Sequence, residues 1–249
     1  MPATTTAPPV SGAYTASLAH SADQIRAAQR LRHQVFGDEL GARLHTSLPG
    51  HDMDALDDIA DHLIVTERAT GTVVGTYRLL PPGRSDRLYS DAEFDLTALT
   101  ALRPALVEAG RSCVHPEHRG GAVINLLWSA LARYVLHCGH RYLAGCASVP
   151  LADGERAAGA AWELARSRHT APPELRVTPR RPWEPSTPPP ADPRYADLPP
   201  LLRGYLRIGA WLCGPPAHDP DFHTADFFTL LPVASIPDRY RRAFLTTPR

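Results

Sequence analysis

Residues 106–128 read LVEAGRSCVHPEHRGGAVINLLW and contain a strand pattern, a loop rich in Arg, His and Gly, and the start of an apolar helix. A strand that leads through a Gly-rich turn into a helix presents backbone N–H groups and the positive end of the helix to a phosphate. Glu108 and Arg111 lie inside the apolar strand, where a charge is costly unless it is paired or used. We therefore expect this segment to form the centre of a ligand site, with a substrate pocket beside it.

The composition limits the classes of protein that the chain can represent. Its 249 residues suit one large domain, and its 26 basic residues, all arginine, balance 26 acidic ones. A net charge near zero argues against nucleic-acid binding, which needs a basic face. No stretch approaches the ~20 apolar residues of a membrane span, and the first residues lack the features of a signal peptide. These observations predict a cytoplasmic protein.

The cysteines predict reduced, buried thiols. Cys113, Cys138, Cys146 and Cys213 show neither a C-x-x-C pair nor another spacing typical of a metal site. Isolated cysteines of this kind are common in proteins of a reducing compartment. We therefore expect no bound metal.

The first part of the chain predicts a tail, a helix and a hairpin. Residues 1–20 are rich in Thr, Ala and Pro and are interpreted as a disordered tail. Ser21 and Gln24 fit a capping box that opens a helix. The strand-like runs 62–68 and 73–80 are joined by a short turn and predict a β-hairpin.

The second part predicts further strands and helices around a proline-rich insert. Residues 171–200 contain eleven prolines, which excludes a helix there and favours connecting chain over a lid. Strand patterns on both sides of this segment indicate one domain, residues 21–249, with an insertion. The expected fold class is α+β, an α/β/α sandwich with a mixed, mostly antiparallel sheet between helices.

The predicted order of elements resembles the acyltransferase domain of the GNAT superfamily. Helix, hairpin, strand, phosphate-type loop, helix and strand follow one another in both. The loop Arg119-Gly120-Gly121-Ala122-Val123-Ile124 is similar to the GNAT pattern R-x-x-G-x-G/A, with its glycines shifted.

Spaced charged residues and longer segments narrow the resemblance. Six charged residues and one phenylalanine are similar, in their order and spacing, to a pattern of acyl-homoserine lactone synthases. These residues are Arg32, Phe36, Asp54, Asp57, Arg78, Glu108 and Arg111. Segments such as LRHQVFGDELGA, DALDDIADHLIV, GRSCVHPEHR and LPPLLRGYLRIGAWLCG resemble the ornithine N-acyltransferase (lyso-ornithine lipid synthase) family over roughly residues 30–245. The resemblance implies transfer of a long 3-hydroxyacyl chain from acyl carrier protein to the α-amino group of ornithine. A lipid product allows peripheral contact with the inner face of a membrane.

The resemblance also suggests roles for the acceptor residues. Asp54 and Asp57 would hold the cationic side chain of ornithine, and Arg78 or Arg111 would clamp its carboxylate. Glu108 would take the proton of the attacking amine, its alternative role being an ion pair with Arg111 or Arg78. Arg32 and Phe36 complete the substrate-binding set.

The donor would be held by a second group of residues. Backbone N–H groups around Arg111–Val114 would stabilise the oxyanion, and Arg119 would contact the phosphate of phosphopantetheine. The donor-binding set comprises Cys113, Val114, Arg119, Gly120, Gly121 and Cys146. No resident cofactor is expected, because the acyl carrier protein or an acyl-CoA brings its own thioester.

Two alternatives stay open from the sequence. The chain would acylate another amino acid or amine if its acceptor pocket were apolar rather than acidic. A non-catalytic sensor of acylated carrier protein would retain the fold but not the charged residues of the acceptor pocket.

Overall fold

The computed structural model describes residues 10–245, which form eleven strands and five α-helices joined by short 3₁₀ and π turns. The strands are β1 (Val10–Ser11), β2 (Tyr14–Leu18), β3 (Asp61–Glu67), β4 (Val73–Leu80), β5 (Phe94–Asp95), β6 (Leu106–Val114), β7 (Tyr142–Pro150), β8 (Thr178–Pro179), β9 (Trp211–Leu212), β10 (Ala217–Asp219) and β11 (Thr224–Pro232). The helices are α1 (Ala22–Arg32), α2 (Ala122–His137), α3 (Arg156–Arg168), α4 (Pro200–Arg207) and α5 (Asp238–Leu245). Within the described residues, no helix is both long enough and apolar enough to cross a membrane.

Nine strands form the central sheet in the order β1-β2-β3-β4-β6-β7-β11-β10, with β9 paired to β11. The described neighbours in this sheet are antiparallel except β6 and β7, which are parallel. The sheet is therefore mixed and mostly antiparallel, as the sequence predicts. The predicted hairpin is confirmed as β3 and β4.

Successive apolar side chains of β3 point to opposite faces of the sheet, and helices cover both faces. In β3, Leu63 and Val65 pack into the cluster formed with α2, whereas Ile64 packs into the cluster formed with α1. This period of two is the pattern of a strand that is buried on both sides. The Ser21 hydroxyl accepts a hydrogen bond from the backbone of Gln24, which confirms the predicted start of α1.

The two parallel strands separate and leave an opening in the sheet. Their pairing ends at Glu108 and Ala144, although β6 continues to Val114 and β7 to Pro150. At the point of separation the strands approach closely, since a Cβ atom on Gly145 would lie 2.2 Å from the carbonyl oxygen of Ala109. The edge of β6 that faces the opening is left without a partner strand.

A bulge in β6 changes the direction of its side chains. The register with β4 shifts by one residue between Thr76 and Arg78, and Arg111 opposite this shift has φ = 51°. A bulge adds a residue to one strand and re-aims the side chains around it. Arg111 and Glu108, which simple alternation would place on opposite faces, consequently both contact Tyr89.

Two features of the fold differ from the sequence analysis. The predicted disordered tail is wrong for residues 10–18, because β2 pairs with β3 along its whole length and buries Ala16. Residues 1–9 lie outside the described residues. Cys138 is exposed and Cys146 is only partly buried, so the prediction of buried thiols is wrong for these two.

The proline-rich segment packs against the domain through scattered apolar residues. Trp183 and Leu198 lie in the core cluster of α3 and α4, and the Val177 amide donates to the Cys213 carbonyl at 2.7 Å. The apolar segment 199–213 forms α4 and β9, and its Leu202 and Leu206 are buried in the same core cluster.

Replacing Gly145 by Ala is expected to lower the free energy of unfolding by about 3 kcal/mol, because the new methyl group would overlap the Ala109 carbonyl. Urea denaturation measures the change. Gly110→Ala is the matched control, since a Cβ atom on this glycine of β6 meets no atom within 4 Å. Equal stability of the two variants would show that β6 and β7 do not approach each other as described.

Candidate active site

A buried ion-pair network connects α1 to the acidic segment before β3. The Arg32 side chain is fully buried, and its Nε lies 2.9 Å from Asp52 Oδ2 while its Nη2 lies 2.8 Å from Asp57 Oδ1. His62 Nε2 contacts the Asp57 carbonyl oxygen at 3.0 Å, so this histidine has a structural partner. Arg32 is therefore the centre of a desolvated cluster of charged side chains.

Two further arginines extend this network toward the opening between β6 and β7. Arg78 Nη1 lies 2.7 Å from Asp54 Oδ1 and 3.3 Å from Asp57 Oδ2. Arg111 Nε lies 3.2 Å from Asp52 Oδ2. Burial alone would raise the pKa of Asp54, but Arg78 and Arg111 hold it below the ordinary value. Asp54 and Asp57 therefore already form ion pairs with arginine side chains of the protein.

Aromatic rings enclose the guanidinium group of Arg111. Its carbon lies 4.7 Å from the ring centre of Tyr89 and 5.2 Å from that of Phe222, and its Nη1 contacts the Tyr89 hydroxyl at 3.2 Å. Phe36 packs edge-on against Phe222, with ring centres 5.7 Å apart. Phe36 is therefore joined to the site through Phe222, a residue that the sequence analysis did not select.

Glu108 is held by donors from the turn before β5 rather than by an ion pair with Arg111 or Arg78. Its carboxylate accepts hydrogen bonds from the Tyr89 amide at 2.6 Å, the Ser90 amide at 2.9 Å and the Ser90 hydroxyl at 2.6 Å. Burial raises the pKa of Glu108, and these hydrogen bonds offset part of the rise. A carboxylate with a raised pKa beside the opening is suited to accept a proton.

A second polar cluster joins the turn before β5 to β7 and β11. The carboxylates of Glu93 and Asp226 and the sulfur of Cys146 lie within 4.8 Å of one another. Asp226 accepts hydrogen bonds from the hydroxyls of Thr224 at 2.6 Å and Ser148 at 3.1 Å. Glu93 Oε2 is buried and has no hydrogen-bond partner among the residues that the structure describes.

The electrostatics of this cluster differ from those of the arginine network. Burial raises the pKa of Glu93 to about 9, and the neighbouring carboxyl groups of Asp226 and Asp219 act in the same direction. Burial also raises the pKa of Asp226, to about 6. Like charges at this distance disfavour the ionised form. The pair therefore retains a proton at neutral pH, which the binding of a cation would displace.

The stability of the free protein should reflect this pair. Folded Glu93 keeps its proton up to a pKa of about 9, whereas an unfolded glutamate has the ordinary value of 4.5. Between these values the folded state binds more protons, so a rise in pH favours unfolding. We expect urea unfolding to show a lower free energy at about pH 8.5 than at about pH 5.5, with a smaller loss in Glu93→Gln. An equal loss in both proteins would contradict the assignment.

The loop after β6 has a different arrangement from the one that the sequence suggests. Arg119 is paired with Glu39 through two contacts of 2.6 and 2.7 Å, and its Nε donates to the Val114 carbonyl at 3.1 Å. Gly121 precedes α2 with φ = 95°, a conformation that favours glycine, and an added Cβ atom on Gly120 would meet no atom within 4 Å. The backbone of this turn is therefore accessible, but its arginine is not free of a partner.

The two cysteines of the predicted donor set have different surroundings. Cys113 is buried against α1, and burial raises the pKa of its thiol to about 12. Cys146 lies 3.3 Å from the Ser90 hydroxyl and belongs to the cluster with Glu93. Burial raises the pKa of the Cys146 thiol well above its ordinary value, so neither sulfur is an activated nucleophile.

An apolar cavity that is partly open to solvent lies on the α2 side of the sheet. Leu143, one of its lining residues, pairs with Val107 in β6, one residue before the strands separate. The cavity is lined mainly by apolar side chains, among them Trp128, Leu131, Ala132, Leu143, Ile208 and Leu231.

Several residues of the site were missed by sequence reasoning although some carried a signal. Asp226 is a charge inside the apolar run TADFFTLLP, the same signal that selected Glu108. Asp52 belongs to the aspartate-rich segment, but only its contact with Arg32 distinguishes it from its neighbours. Tyr89, Ser90 and Phe222 carry no such pattern, because their roles depend on contacts between distant segments.

The opened sheet and the adjoining buried carboxylates define an acyltransferase of the GNAT class. The acetyltransferase (GNAT) domain family matches residues 31–129. The chain belongs to the L-ornithine N(alpha)-acyltransferase family: it is 37% identical over 249 residues to the member from Rhodobacter capsulatus, an alignment that covers 93% of this chain and 94% of the relative. The predicted family is thereby confirmed.

Solved structures confirm the predicted fold class. The N-acyl amino acid synthase FeeM from uncultured soil microbes is similar with a TM-score of 0.53 and 14% identity, over 89% of this chain and 92% of that one. The CoA-dependent acyl-homoserine lactone synthase BjaI gives a TM-score of 0.52 and 18% identity, over 92% and 89%. At these identities the likeness concerns the fold alone.

Proposed function

We propose that this enzyme transfers a long acyl chain from acyl carrier protein to the α-amino group of ornithine, in the first step of ornithine lipid synthesis. The observation that carries the proposal is the Glu93–Asp226 pair, two buried carboxyl groups whose charged neighbours are acidic. Ornithine has a second ammonium group on its side chain, and such a pair suits that group. Burial of two carboxyl groups without a cation is otherwise unfavourable.

This assignment replaces the one that the sequence suggested for Asp54 and Asp57. Both aspartates already pair with Arg32 or Arg78, so an incoming ammonium would compete with an existing cation. Glu93 and Asp226 have acidic neighbours instead, so a bound ammonium would take the place of a proton and would favour the ionised carboxylates. The change in role follows from the contacts and leaves the class of acceptor unchanged.

Arg111 is better suited than Arg78 to hold the acceptor's carboxylate. Its Nη1 contacts the uncharged Tyr89 hydroxyl, whereas Nη1 of Arg78 contacts Asp54 and Asp57. Replacing a neutral partner by a carboxylate gains a charge-assisted hydrogen bond without displacing an ion pair. Tyr89 and Phe222 keep the guanidinium plane in place during binding.

The proposed reaction is direct aminolysis of the thioester. The neutral α-amine attacks the carbonyl carbon, a C–N bond forms and the C–S bond breaks. Glu108 takes the amine proton, directly or through water, and the pantetheine thiolate takes a proton in turn. Backbone N–H groups on the unpaired edge of β6 would stabilise the oxyanion, as donors aimed at developing charge do in other acyl transfers.

The loop after β6 supports a carrier-protein donor. Acyl carrier protein brings one phosphodiester, whereas CoA brings a pyrophosphate that needs a larger set of donors. The turn at Gly120 and Gly121 offers backbone N–H groups for a single phosphate, while Arg119 is engaged by Glu39. Acyl-CoA remains the second donor to be compared in the assay.

The apolar cavity beside Leu143 is suited to the acyl tail, and Ala132→Phe tests this role. The larger side chain would fill part of the cavity, so we expect kcat/KM with a 16-carbon donor to fall at least about tenfold. An 8-carbon donor should lose less than about threefold in the same variant, and it serves as the internal control. Equal losses with both donors would contradict the assignment.

A mass-spectrometric assay tests the proposed function as a whole. The enzyme is incubated with 3-hydroxyacyl carrier protein or the corresponding CoA ester and an equimolar mixture of amino acids. We expect N-acyl-ornithine as the main product, with the carrier protein as the faster donor, and little product from Glu108→Gln. A neutral N-acyl amino acid as main product would refute the acceptor, and absence of any amide would favour the sensor.

A further inference from the structure

The loop between β6 and α2 carries three metal-binding side chains that the proposed reaction does not use. His115, Glu117 and His118 belong to the sequence HPEH, in which Pro116–His118 form a 3₁₀ turn. Side chains three residues apart lie on the same side of such a turn. The two imidazole rings accordingly pack edge-on, with centres 5.4 Å apart.

The donor atoms of these side chains converge. One ligand atom from each of His115, Glu117 and His118 lies within 4.8 Å of the other two. Two imidazole nitrogens and one carboxylate oxygen form a ligand set that suits Zn²⁺ and similar divalent ions. Three protein ligands leave a position for water or another oxygen ligand, as in zinc sites that are not closed.

Neighbouring residues orient both rings by contacting one nitrogen of each. Tyr14 contacts Nδ1 of His118 at 2.9 Å through its hydroxyl, and Gln34 contacts Nε2 of His115 at 3.1 Å through its amide. The other nitrogen of His115, Nδ1, makes only a long contact of 3.3 Å with the Glu117 amide in the described part of the chain. The Tyr14 hydroxyl can accept the N–H at Nδ1 of His118, which leaves the lone pair of Nε2 for a metal. The Gln34 amide nitrogen is a donor, so metal binding at Nδ1 of His115 would require this amide to turn its oxygen toward Nε2.

A metal ion bound at this loop would also affect how the loop binds the phosphate of the acyl donor. Arg119 follows His118 directly, but Glu39 neutralises its guanidinium group. A bound dication would restore positive charge where the phosphate of the donor is proposed to lie. This consequence rests on the proposed function, whereas the ligand set does not.

We propose that His115, Glu117 and His118 bind a divalent transition-metal ion such as Zn²⁺ beside the donor loop. The site departs from the expectation of a metal-free protein, which was based on the cysteines and their spacing. It contains no cysteine, and its ligands are provided by one short turn.

Metal titration of the untagged full-length enzyme tests the site without any acyl donor or acceptor. Calorimetry with Zn²⁺ and visible absorption with Co²⁺ should both give one ion per chain. We expect His115→Leu and His118→Phe to weaken binding at least about a hundredfold, and Tyr14→Phe about tenfold. His45→Leu, which replaces an exposed histidine paired with Asp221, is the control and should bind as the unsubstituted protein does.

The possible outcomes distinguish metal binding itself from its proposed effect on the binding of the donor's phosphate. Absence of one-to-one binding, or unchanged affinity in His115→Leu and His118→Phe, would overturn the metal site. Zn²⁺ should tighten the binding of pantetheine 4′-phosphate about tenfold in the unsubstituted protein and not in His118→Phe. Equal affinity for pantetheine 4′-phosphate with and without Zn²⁺ would overturn the link to the donor. A protein that binds the metal but is inactive in acyl transfer would refute the proposed function alone.

Discussion

Glu93→Gln is expected to raise KM for ornithine about a hundredfold while kcat stays within about threefold. The substitution keeps the size of the side chain but removes the carboxyl group that would ionise beside the acceptor's side-chain ammonium. Truncating one partner of a buried charge pair is costly because the other charge is left unpaired. Glu108, the proposed proton acceptor, keeps its contacts with Tyr89 and Ser90, so the chemical step should change little.

The comparison with norvaline makes this prediction specific. Norvaline has the backbone of ornithine without the terminal amine, so it does not need the Glu93–Asp226 pair. The ratio of kcat/KM for ornithine over norvaline should fall about a hundredfold in Glu93→Gln. Asp95→Asn is the matched control, because it removes an exposed carboxylate that lies two residues further along the chain, in β5. A variant that keeps the preference for ornithine would show that another group recognises the side-chain amine.

Sequence reasoning predicted those parts of the structure whose signal is local. The hairpin of β3 and β4 follows from alternation around a turn, and the start of α1 follows from the Ser21 cap. Glu108 and Arg111 were selected because charges in an apolar strand need a reason. β2 was missed because YTASL has a weak pattern of its own and becomes a strand by pairing with β3, a contact between distant segments.

The site was predicted as a set of residues more accurately than as a set of roles. Arg32, Asp54, Asp57, Arg78 and Arg111 do lie together, but spacing along the chain does not say which charges neutralise each other. The β6 bulge at Arg111 decides that Arg111 contacts Asp52 and Tyr89 while Glu108 contacts Ser90. A one-residue change of register cannot be read from charge spacing. For this reason we propose Glu93 and Asp226, rather than Asp54 and Asp57, as the partners of the acceptor's side-chain ammonium.

Replacing Arg32 by Met is expected to lower the free energy of unfolding by about 4 kcal/mol. Arg32 is fully buried and contacts both Asp52 and Asp57, so its removal leaves two carboxylates with less compensation in a desolvated cluster. Methionine fills most of the volume, which restricts the loss mainly to charge. Arg43→Met is the matched control: Arg43 pairs with Asp221 on the surface, and such exposed pairs contribute at most about 1 kcal/mol.

A second substitution distinguishes loss of charge compensation from loss of packing. Asp57→Asn in the Arg32→Met background removes one of the uncompensated carboxylates, so it should recover part of the stability that Arg32→Met loses. Asp57→Asn alone should destabilise the protein, because Arg32 and Arg78 would then have fewer anionic partners. Urea unfolding of the four proteins gives the coupling energy between the two residues. A coupling near zero would mean that Arg32 contributes through packing, and that the network does not stabilise this side of the site through its charges.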